Sequence, residues 1–510
     1  MRVFLNVAVL VLLPWSAQGR QVLGEPDLSP YGILSNSVAN LDLDGSTVWV
    51  GPFLNHSFDQ GNTWYLPVTD SLFGTVNRLF SLDIEGEMIV AGLGRADASG
   101  GESVQTAAGF LISEDAGRTF SYRFPQLDSP EADTQEYGVS VLPALPVIVP
   151  QQSPPFDVAV DPTDGAIYVA AWASGLRRST DGGRSWTRVV LPPDNLDRIS
   201  PDQPYSFSVE PRRGGNGSLN HMGFSVLVEQ SGRIWAGTAG GLNRSDDGVS
   251  WVKFKADGTS GSLTGDWIIS IEEQPLAGQS AIWMATWNTS ESGGGTGQFG
   301  VTVTEDGGVT FRQTLLGERV YDFAFDGPRV FVAGDGGLFH SDDGGRSWNS
   351  IQQFQDRADP SRRLREDTDV FSVEYADGLL WVGTSDGLLL SRDEGVTWSL
   401  FRVDVPLRPD EPIDAVPSVD TYAYPNPFSP SGDGRIRIKF DAGSADSATL
   451  RMFDFGMNLV RSWSVGGLSG VSEVEWDGRD DRGIQVANGA YFYHVEVGSS
   501  RLRGKILVIE

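Results

Sequence analysis

The sequence predicts an all-β protein, a seven-bladed β-propeller followed by a small Ig-like β-sandwich. Three observations support this prediction. One turn motif recurs seven times, an apolar strand pattern precedes each copy, and the pattern changes near residue 403. The repeats extend from about residue 37 to about residue 403, or about 52 residues per unit. Four short strands per unit with a period of this size are typical of a propeller.

The recurring turn reads Ser/Thr-x-Asp-x-Gly-x-Ser/Thr-Trp/Phe, and its clearest copy starts at Ser179. A short carboxylate accepts backbone N–H groups of its own turn, and glycine adopts backbone angles that other residues avoid. The seventh copy is imperfect, because Arg244 occupies the position of the leading Ser or Thr. We therefore predict a structural role for the aspartates of these turns: Asp59, Asp115, Asp181, Asp246, Asp306, Asp343 and Asp393.

Two apolar segments precede each turn. Blocks such as 48–51, 167–170 and 380–383 predict the second strand of a unit, and alternations such as 156–160 predict the first strand. With the strand after the turn, each unit has four strands, so seven units predict seven blades.

Long insertions occur only in two classes of connection. Residues 93–108 and 286–300 lie between second and third strands, and the other insertions lie between blades, at 124–155, 190–220, 256–265 and 350–368. In an up-and-down propeller these two classes share one face, so we expect function to concentrate there.

The turns resemble the Asp-box (BNR) repeats of sialidase-like, sortilin-like and xyloglucanase-like propellers. The resemblance implies the fold, which hosts many functions. Sialidases carry an early arginine in a Phe-Arg-Ile-Pro-like stretch before the first box. Here Arg20 is the only arginine between the predicted signal peptide and Ser57. Xyloglucanase-like enzymes use paired carboxylates between two propellers, and this sequence predicts one propeller.

The amino terminus predicts a signal peptide over residues 1–19, followed by a lead-in at 20–36. Met1-Arg2 precedes an apolar run at 3–13 that is too short to span a membrane, and small residues follow it. No other segment is apolar enough to span a membrane. The chain has no cysteine, which excludes disulfides and thiolate metal sites. A net charge of −29 argues against nucleic-acid binding. We expect a monomer without a cofactor.

The carboxy-terminal part has a different composition. Residues 404–423 hold four prolines and predict a linker, and 424–510 predict the sandwich. The segment 424–510 resembles the flagellar-hook-capping-type Ig-like domain. Its opening Tyr424-Pro425-Asn426-Pro427-Phe428 and its Lys-led apolar end also resemble the carboxy-terminal domains that direct substrates of the type IX secretion system. This resemblance implies export by that machinery across an outer membrane, and attachment at the cell surface.

The sequence shows no catalytic or metal-binding constellation. The segment 383–387 matches the G-x-S-x-G pattern, but it joins two predicted strands and lacks the following helix that a nucleophile elbow requires. None of the four histidines has a partner at metal-ligand spacing. We therefore predict no catalytic residue and no metal site.

Three function classes remain open. We favour an exported binding propeller for a glycan or protein. The first alternative is a glycoside hydrolase or lyase that uses loop carboxylates such as Asp128, Glu131, Asp202 and Glu291, and the second is a purely structural surface component. Aromatic residues at the loop junctions predict the binding site, although such rings also fill gaps between blades. The ligand-binding candidates are Trp172, Trp267, Trp287, Arg95, Tyr205, Arg212, Arg213 and His221.

Overall fold

The computed structural model describes residues 27–28, 32–66, 77–99, 102–212, 216–287, 297–358, 360, 362–365, 368–402, 420–424, 426–431, 434–468 and 470–509. The predicted signal peptide and nearly all of the predicted linker lie outside these residues. In the described part, the only helical element is a 3-10 turn at Leu219–His221. The predicted all-β fold, a seven-bladed propeller followed by an Ig-like sandwich, is confirmed.

Seven antiparallel sheets follow one another along the chain, and each contains four strands that run in sequence order from the central channel to the outside. Blades 1 to 3 contain Leu41–Asp44, Thr47–Val50, Asn55–Ser57 and Tyr65–Leu66 (blade 1); Arg78–Glu85, Met88–Ser99, Glu102–Ser113 and Ser121–Arg123 (blade 2); and Asp157–Val160, Ile167–Ala171, Gly175–Ser179 and Thr187–Arg188 (blade 3). Blades 4 and 5 contain Gly223–Val228, Ile234–Thr238, Gly241–Ser245 and Trp251–Phe254 (blade 4); and Trp267–Leu276, Gln279–Trp287, Gly300–Thr304 and Arg312–Thr314 (blade 5). Blades 6 and 7 contain Val320–Asp326, Arg329–Gly334, Gly337–Ser341 and Asn349–Ile351 (blade 6); and Val370–Ala376, Leu379–Thr384, Gly387–Ser391 and Ser399–Phe401 (blade 7).

Two blades gain a fifth, outermost strand. Asp27–Leu28 pairs with the last strand of blade 1, and Arg198–Ile199 pairs with the last strand of blade 4. The insertion before blade 3 forms a separate hairpin of Thr134–Tyr137 and Ser140–Pro143. Because neighbouring strands are antiparallel, the links between second and third strands leave on the same face as the links between blades. We call this the loop face.

The ring closes by side-by-side packing of blades 1 and 7. The Val38 N–H donates to the Thr384 carbonyl oxygen at 2.9 Å, and the Ser372 hydroxyl donates to the Val38 carbonyl oxygen at 3.3 Å. The Trp64 ring lies 5.8 Å from the Phe401 ring. Each blade takes its four core strands from one continuous segment, so closure relies on contacts between sheets.

The aspartate turns join third and fourth strands on the face opposite the loops. In the blade 6 turn, the Ser341 hydroxyl donates to Asp343 at 2.8 Å, and the Gly345 N–H donates to that hydroxyl at 2.8 Å. The Ser347 N–H and hydroxyl donate to Asp343 at 2.9 and 2.7 Å. These bonds from Ser347 and Ser341 hold the pKa of Asp343 well below its usual value. Equivalent bonds form at five other turns, those of Asp59, Asp115, Asp181, Asp306 and Asp393.

The seventh turn, in blade 4, uses Asp247 and not the predicted Asp246. The Ser245 hydroxyl donates to Asp247 at 3.1 Å, and the Ser250 N–H donates to Asp247 at 2.6 Å. The exposed Asp246 instead forms an ion pair with Arg233 at 2.6 Å. This turn has one residue fewer between aspartate and glycine. The leading hydroxyl therefore comes from Ser245, and the prediction for Asp246 was wrong.

The carboxy-terminal domain packs two sheets face to face. One sheet contains Thr421–Tyr424, Ile436–Asp441 and Val471–Trp476, and the other contains Leu459–Gly466, Ser447–Phe453, Gly489–Val497 and Ser500–Val508. Side chains from both sheets form one buried core, which includes Ile438, Leu450, Val495 and Trp476. This core contains only residues from position 423 onward, so the sandwich has a hydrophobic core of its own.

Candidate functional site

The first strands of five blades carry a β-bulge where they begin, on the loop face. In each case one residue is skipped in the pairing with the second strand. A bulge redirects the side chain of its unpaired residue. Every skipped residue is large, apolar or aromatic, and half-buried: Phe80, Phe224, Ile269, Tyr321 and Phe371. Four of these side chains and Phe156 line the mouth of the central channel; Phe224 lies beside Phe156, with ring centroids 6.1 Å apart.

Two predicted tryptophans meet at this mouth. Phe224 packs against both, with its ring centroid 5.1 Å from that of Trp172 and 5.4 Å from that of Trp267. The Trp172 and Trp267 rings meet edge to face at 5.8 Å. We call Phe156, Trp172, Phe224 and Trp267 the rim cluster. All four side chains are half-buried, so the cluster presents an aromatic surface to solvent.

The third predicted tryptophan lies next to the rim cluster and has a cation stacked on it. Trp287 is the direct cross-strand partner of Trp267 in blade 5. The Arg319 guanidinium lies 4.0 Å from the centre of the Trp287 ring, and the Trp287 indole N–H donates to the Val320 carbonyl oxygen at 3.1 Å. The Tyr321 ring lies 5.8 Å from that of Trp287. The structure thus brings all three predicted tryptophans to one part of the channel mouth.

Carboxylates line the channel below the rim, around a cavity of about 240 Å³. Six of the seven blades supply one each, namely Asp42, Asp83, Asp157, Glu272, Asp322 and Glu374. No lysine, arginine or histidine is among the described residues that line this cavity. Within the described residues, no three acidic or histidine side chains are placed to hold a metal ion. The ring therefore gathers acidic groups from six blades without forming a chelating set.

Most channel aspartates also join neighbouring blades. Asp83 accepts the Val160 N–H of the next blade at 2.6 Å, and Asp157 accepts the Val226 N–H at 2.8 Å. Asp322 accepts the Val373 N–H at 2.9 Å. Glu272 differs, because its carboxylate makes no hydrogen bond with any described residue. The aspartates thus serve the ring itself, whereas Glu272 faces the channel without such a role.

The channel environment favours protonated carboxyl groups. Burial, together with repulsion from neighbouring carboxylates, raises the pKa of Asp157 to about 8 and that of Asp83 to about 6. Burial raises the pKa of Asp322 to about 7. The pKa values of Asp42, Glu272 and Glu374 are also raised, first by burial and then by the other carboxylates. Without a partner cation, the channel therefore retains protons near neutral pH.

Two other predicted ligand residues are occupied by structural contacts. His221 is buried, and its Nδ1 and Nε2 lie 3.1 and 3.0 Å from the carbonyl oxygens of Glu210 and Leu191. Tyr205 packs against Phe207, and its hydroxyl accepts the Ser200 N–H at 3.1 Å. His221 cannot supply a donor at the surface, so its prediction as a ligand residue is corrected.

The two described arginines among the predicted ligand residues, Arg95 and Arg212, form ion pairs with aspartates. Arg95, in the extended hairpin of blade 2, pairs with Asp97 at 2.8 Å. Arg212 is exposed and lies 3.6 Å from Asp194, and Arg213 lies outside the described residues. Among the described residues, no arginine or lysine side chain stacks on a ring of the rim cluster.

Two of the candidate catalytic carboxylates, Asp128 and Asp202, are held by neighbouring side chains. Asp128 is buried between two arginines, with a bidentate contact to Arg177 and an Arg188 Nη2 at 2.5 Å. Asp202 bonds the Ser200 hydroxyl, Glu131 is exposed, and Glu291 lies outside the described residues. An acid held in this way by two buried guanidinium groups is a poor proton donor.

Sequence reasoning missed the bulge residues and the channel carboxylates. A usable signal was present, because six of the seven first strands have, at or near their start, a large apolar or aromatic residue followed by Ser or Asp. The pairs are Phe80-Ser81, Phe156-Asp157, Phe224-Ser225, Ile269-Ser270, Tyr321-Asp322 and Phe371-Ser372. Apolar alternation alone did not reveal them, since the bulge that exposes five of these large residues leaves no mark in the apolar pattern.

Comparison with known proteins matches one domain to a family. The FlgD Ig-like domain model matches residues 426–501. No curated protein shows significant sequence similarity to the chain. No helix in the described residues is long and apolar enough to cross a membrane.

Several solved structures resemble the chain at low identity. PorZ, described as a surface component of the type-IX secretion system of Porphyromonas gingivalis, is 14% identical with a TM-score of 0.43; the match covers 93% of this chain and 66% of PorZ. YCF48 from Cyanidioschyzon merolae is 18% identical, with a TM-score of 0.41 and coverage of 73% and 100%. An ancestral GH74 enzyme is 13% identical, with a TM-score of 0.32 and coverage of 96% and 82%. Similarity at this level carries no information about function.

Proposed function

We propose that this chain is an exported binding propeller that recognises an extracellular glycan or protein at the rim cluster. The observation that carries the proposal is the meeting of Trp172, Phe224 and Trp267 at the channel mouth. The centroids of these rings lie 5.1–5.8 Å apart, and the side chains remain partly exposed. Aromatic rings are costly to leave in water, and a contiguous exposed group of them is typical of an interaction site.

The rim cluster is held rigidly by the blades. Trp172 directly follows the second strand of blade 3, Phe224 is the bulged residue of blade 4, and Trp267 begins the first strand of blade 5. Three adjacent blades therefore fix the three rings, and a ligand binds without a large entropy cost for ordering the site. Sites built on strand ends are more precise than sites on mobile loops.

The contacts of four described acids, Asp128, Asp83, Asp157 and Asp322, favour binding over hydrolysis at those residues. A glycosidase needs an acid and a second carboxylate on either side of the scissile bond. Asp128 is neutralised by Arg177 and Arg188, and the channel aspartates accept backbone N–H groups of the next blade. These contacts tie the carboxylates to the fold.

A glycan array and a panel of extracellular proteins, probed with the wild-type protein, test this proposal. We expect Trp172→Ala and Trp267→Ala to lower affinity at least tenfold, about 1.4 kcal/mol, with little change in Tm. Phe58→Ala is the control, because Phe58 is exposed but lies on the opposite face, in an aspartate turn. Equal binding by the rim variants and wild type would place the site elsewhere. Release of reducing ends from a bound polysaccharide would instead favour the hydrolase alternative.

The Ig-like domain is proposed to carry localisation. Its match to the FlgD Ig-like domain at 426–501 and the predicted signal peptide support export in two steps, the second through machinery of the type IX kind. We expect deletion of 424–510 to leave the propeller in the periplasm of its host. Cell fractionation measures this directly, and a truncated protein that still reached the surface would contradict it.

A further inference from the structure

We infer that the ligand is a protein segment carrying a lysine or arginine side chain, which stacks on the rim cluster and directs its charged end into the channel. This inference rests on the proposed function, since it names the chemistry that the same site accepts. Two observations support it independently: the charge of the channel and the aromatic composition of its mouth.

The acidic groups of the channel have no basic partner among the described residues that line it. Six blades each contribute one acidic side chain, and no basic residue is among the described residues lining the cavity. Blade 4 contributes no acid to the ring and instead supplies Phe224 to the rim cluster. Like charges gathered in a confined space repel one another, so a cation entering the channel would relieve that repulsion.

Aromatic faces at the mouth attract the same kind of group. The ring quadrupole of tryptophan binds an ammonium or guanidinium group that lies over its face. The protein already shows this contact once, because Arg319 lies 4.0 Å from the centre of the Trp287 ring. In the rim cluster, on the neighbouring side of the mouth, no described arginine or lysine stacks on a ring. That surface is therefore open to a cation from a partner.

A side chain of a protein fits this geometry better than a metal ion or a neutral glycan. A metal ion needs several close ligands, and no three described acids are placed to provide them. A neutral sugar would stack on the rings but would bring no positive charge to the acidic groups of the channel. Lysine and arginine combine an apolar stem, which packs on rings, with a charged end that reaches beyond it. The net charge of −29 would also steer a basic partner toward the protein.

Titration calorimetry with hexalysine tests the inference on the full protein, and hexaglutamate serves as the negative probe. We expect binding of hexalysine that weakens at least tenfold in Trp172→Ala and at least threefold in Glu272→Gln. Glu272 suits this test because its carboxylate makes no hydrogen bond with a described residue. Glu305→Gln is the matched control, since it makes the same substitution at an exposed site in the blade 5 turn, on the face opposite the channel mouth. Binding that Glu272→Gln and Glu305→Gln weaken equally would mean general attraction to the surface and would overturn the inference.

Proton release provides a second readout. A cation in the channel favours ionised carboxylates, so binding at pH 7 should expel protons held by groups whose pKa is raised, such as Asp157 and Asp322. The measured enthalpy should therefore differ between Tris and phosphate buffers, and affinity should rise between pH 5 and pH 8. Equal enthalpies in both buffers would contradict channel entry.

The failure of this inference is distinguishable from the failure of the proposed function. If hexalysine does not bind but a glycan binds and requires Trp172, only this inference is contradicted. If the rim variants bind every tested ligand as tightly as the wild-type protein does, the proposed function is contradicted as well.

Discussion

Gly117, in the aspartate turn of blade 2, lies directly against the Trp49 indole of blade 1. A β-carbon added to Gly117 would be 2.3 Å from Trp49 Cη2. The same relationship recurs in six of the seven blades, where the turn glycine faces an apolar side chain of the preceding blade, for example Gly345 against Trp283 and Gly61 against Phe401. The repeated glycine therefore permits close packing between blades in addition to the backbone angle of its own turn.

Replacing this glycine should cost more than the strain of its backbone angle. We expect Gly117→Ala to lower the free energy of unfolding by about 2–4 kcal/mol, because overpacking of the Trp49 contact adds to the cost of positive φ. Gly45→Ala is the control, since Gly45 also has positive φ, +56°, but has no atom within 4 Å of an added β-carbon. Urea unfolding measures both variants. Equal losses would show that packing against Trp49 contributes nothing.

The two adjacent acids of blade 4 should differ sharply in importance. Asp247 accepts the Ser245 hydroxyl and the amides of Val249 and Ser250, whereas Asp246 forms an exposed ion pair with Arg233. We expect Asp247→Ala to cost about 1–3 kcal/mol through lost turn hydrogen bonds, and Asp246→Ala less than about 1 kcal/mol. Thermal melts of the two variants compare them directly. A larger loss for Asp246→Ala would restore the original assignment of the turn.

Asp128 should act as a structural anchor of the insertion before blade 3. Its carboxylate contacts Arg177 and Arg188, and the side chains of all three residues are at most 9% exposed. Removing it leaves two buried guanidinium groups without their counterion, and we expect Asp128→Ala to cost about 3–5 kcal/mol. Asp164→Ala is the control, because that residue pairs with Arg178 but is 48% exposed. Chemical denaturation measures the difference, and similar values for the two variants would contradict a buried anchor.

The repeated features of this fold were predictable from the sequence, and the site was only partly so. Six aspartate turns and seven sets of four strands follow from local patterns, because turn hydrogen bonds and strand alternation depend on neighbours in the chain. The blade 4 turn was assigned to the wrong aspartate, because it has one residue fewer between aspartate and glycine and therefore uses Asp247. Trp172, Trp267 and Trp287 were placed correctly at one end of their strands. The β-bulge that turns Phe224 toward them is a tertiary feature without a marker in one strand.

Contacts between distant segments explain the remaining differences. His221 directly follows the predicted insertion at 190–220. Its ring nitrogens lie against the carbonyl oxygens of Leu191 and Glu210, and pattern alone does not show that two parts of an insertion fold onto one histidine. The ring of carboxylates forms only when six first strands surround one axis. Each acid looks unremarkable in its own strand, and their repulsion appears only in the closed ring.

The Ig-like domain should fold without the propeller. Its buried core contains residues from both of its sheets and none from before position 423. We expect a fragment of residues 420–510 to unfold cooperatively, with β-type circular dichroism and dispersed amide resonances. Trp476→Ala in the same fragment should abolish this transition, because Trp476 is 1% exposed in the centre of the core. A fragment that stayed unfolded would show that the domain depends on the rest of the chain.

The channel carboxylates should make the propeller less stable as pH rises. Their pKa values are raised in the folded protein, to about 6 for Asp83, about 7 for Asp322 and about 8 for Asp157, so the folded state holds more protons than the unfolded chain. The stabilising contribution of such a group is fully present below its unfolded pKa of about 3.9 and is lost as pH rises through the folded value. The aspartate turns act in the opposite direction, since their lowered pKa values remove stability in acid, as at Asp343.

Comparison of the wild-type protein with Asp157→Asn isolates the channel contribution, because all other titrating groups are shared. Asparagine carries no charge, and it loses one acceptor for the Val158 and Val226 amides at every pH. We therefore expect the variant to be less stable at pH 5. Between pH 5 and pH 9 the difference should shift in favour of the variant by at least about 1.4 kcal/mol, the equivalent of one pKa unit. Urea denaturation at both pH values measures this shift. A constant difference would mean that the carboxyl group of Asp157 is ionised throughout this range in the folded protein.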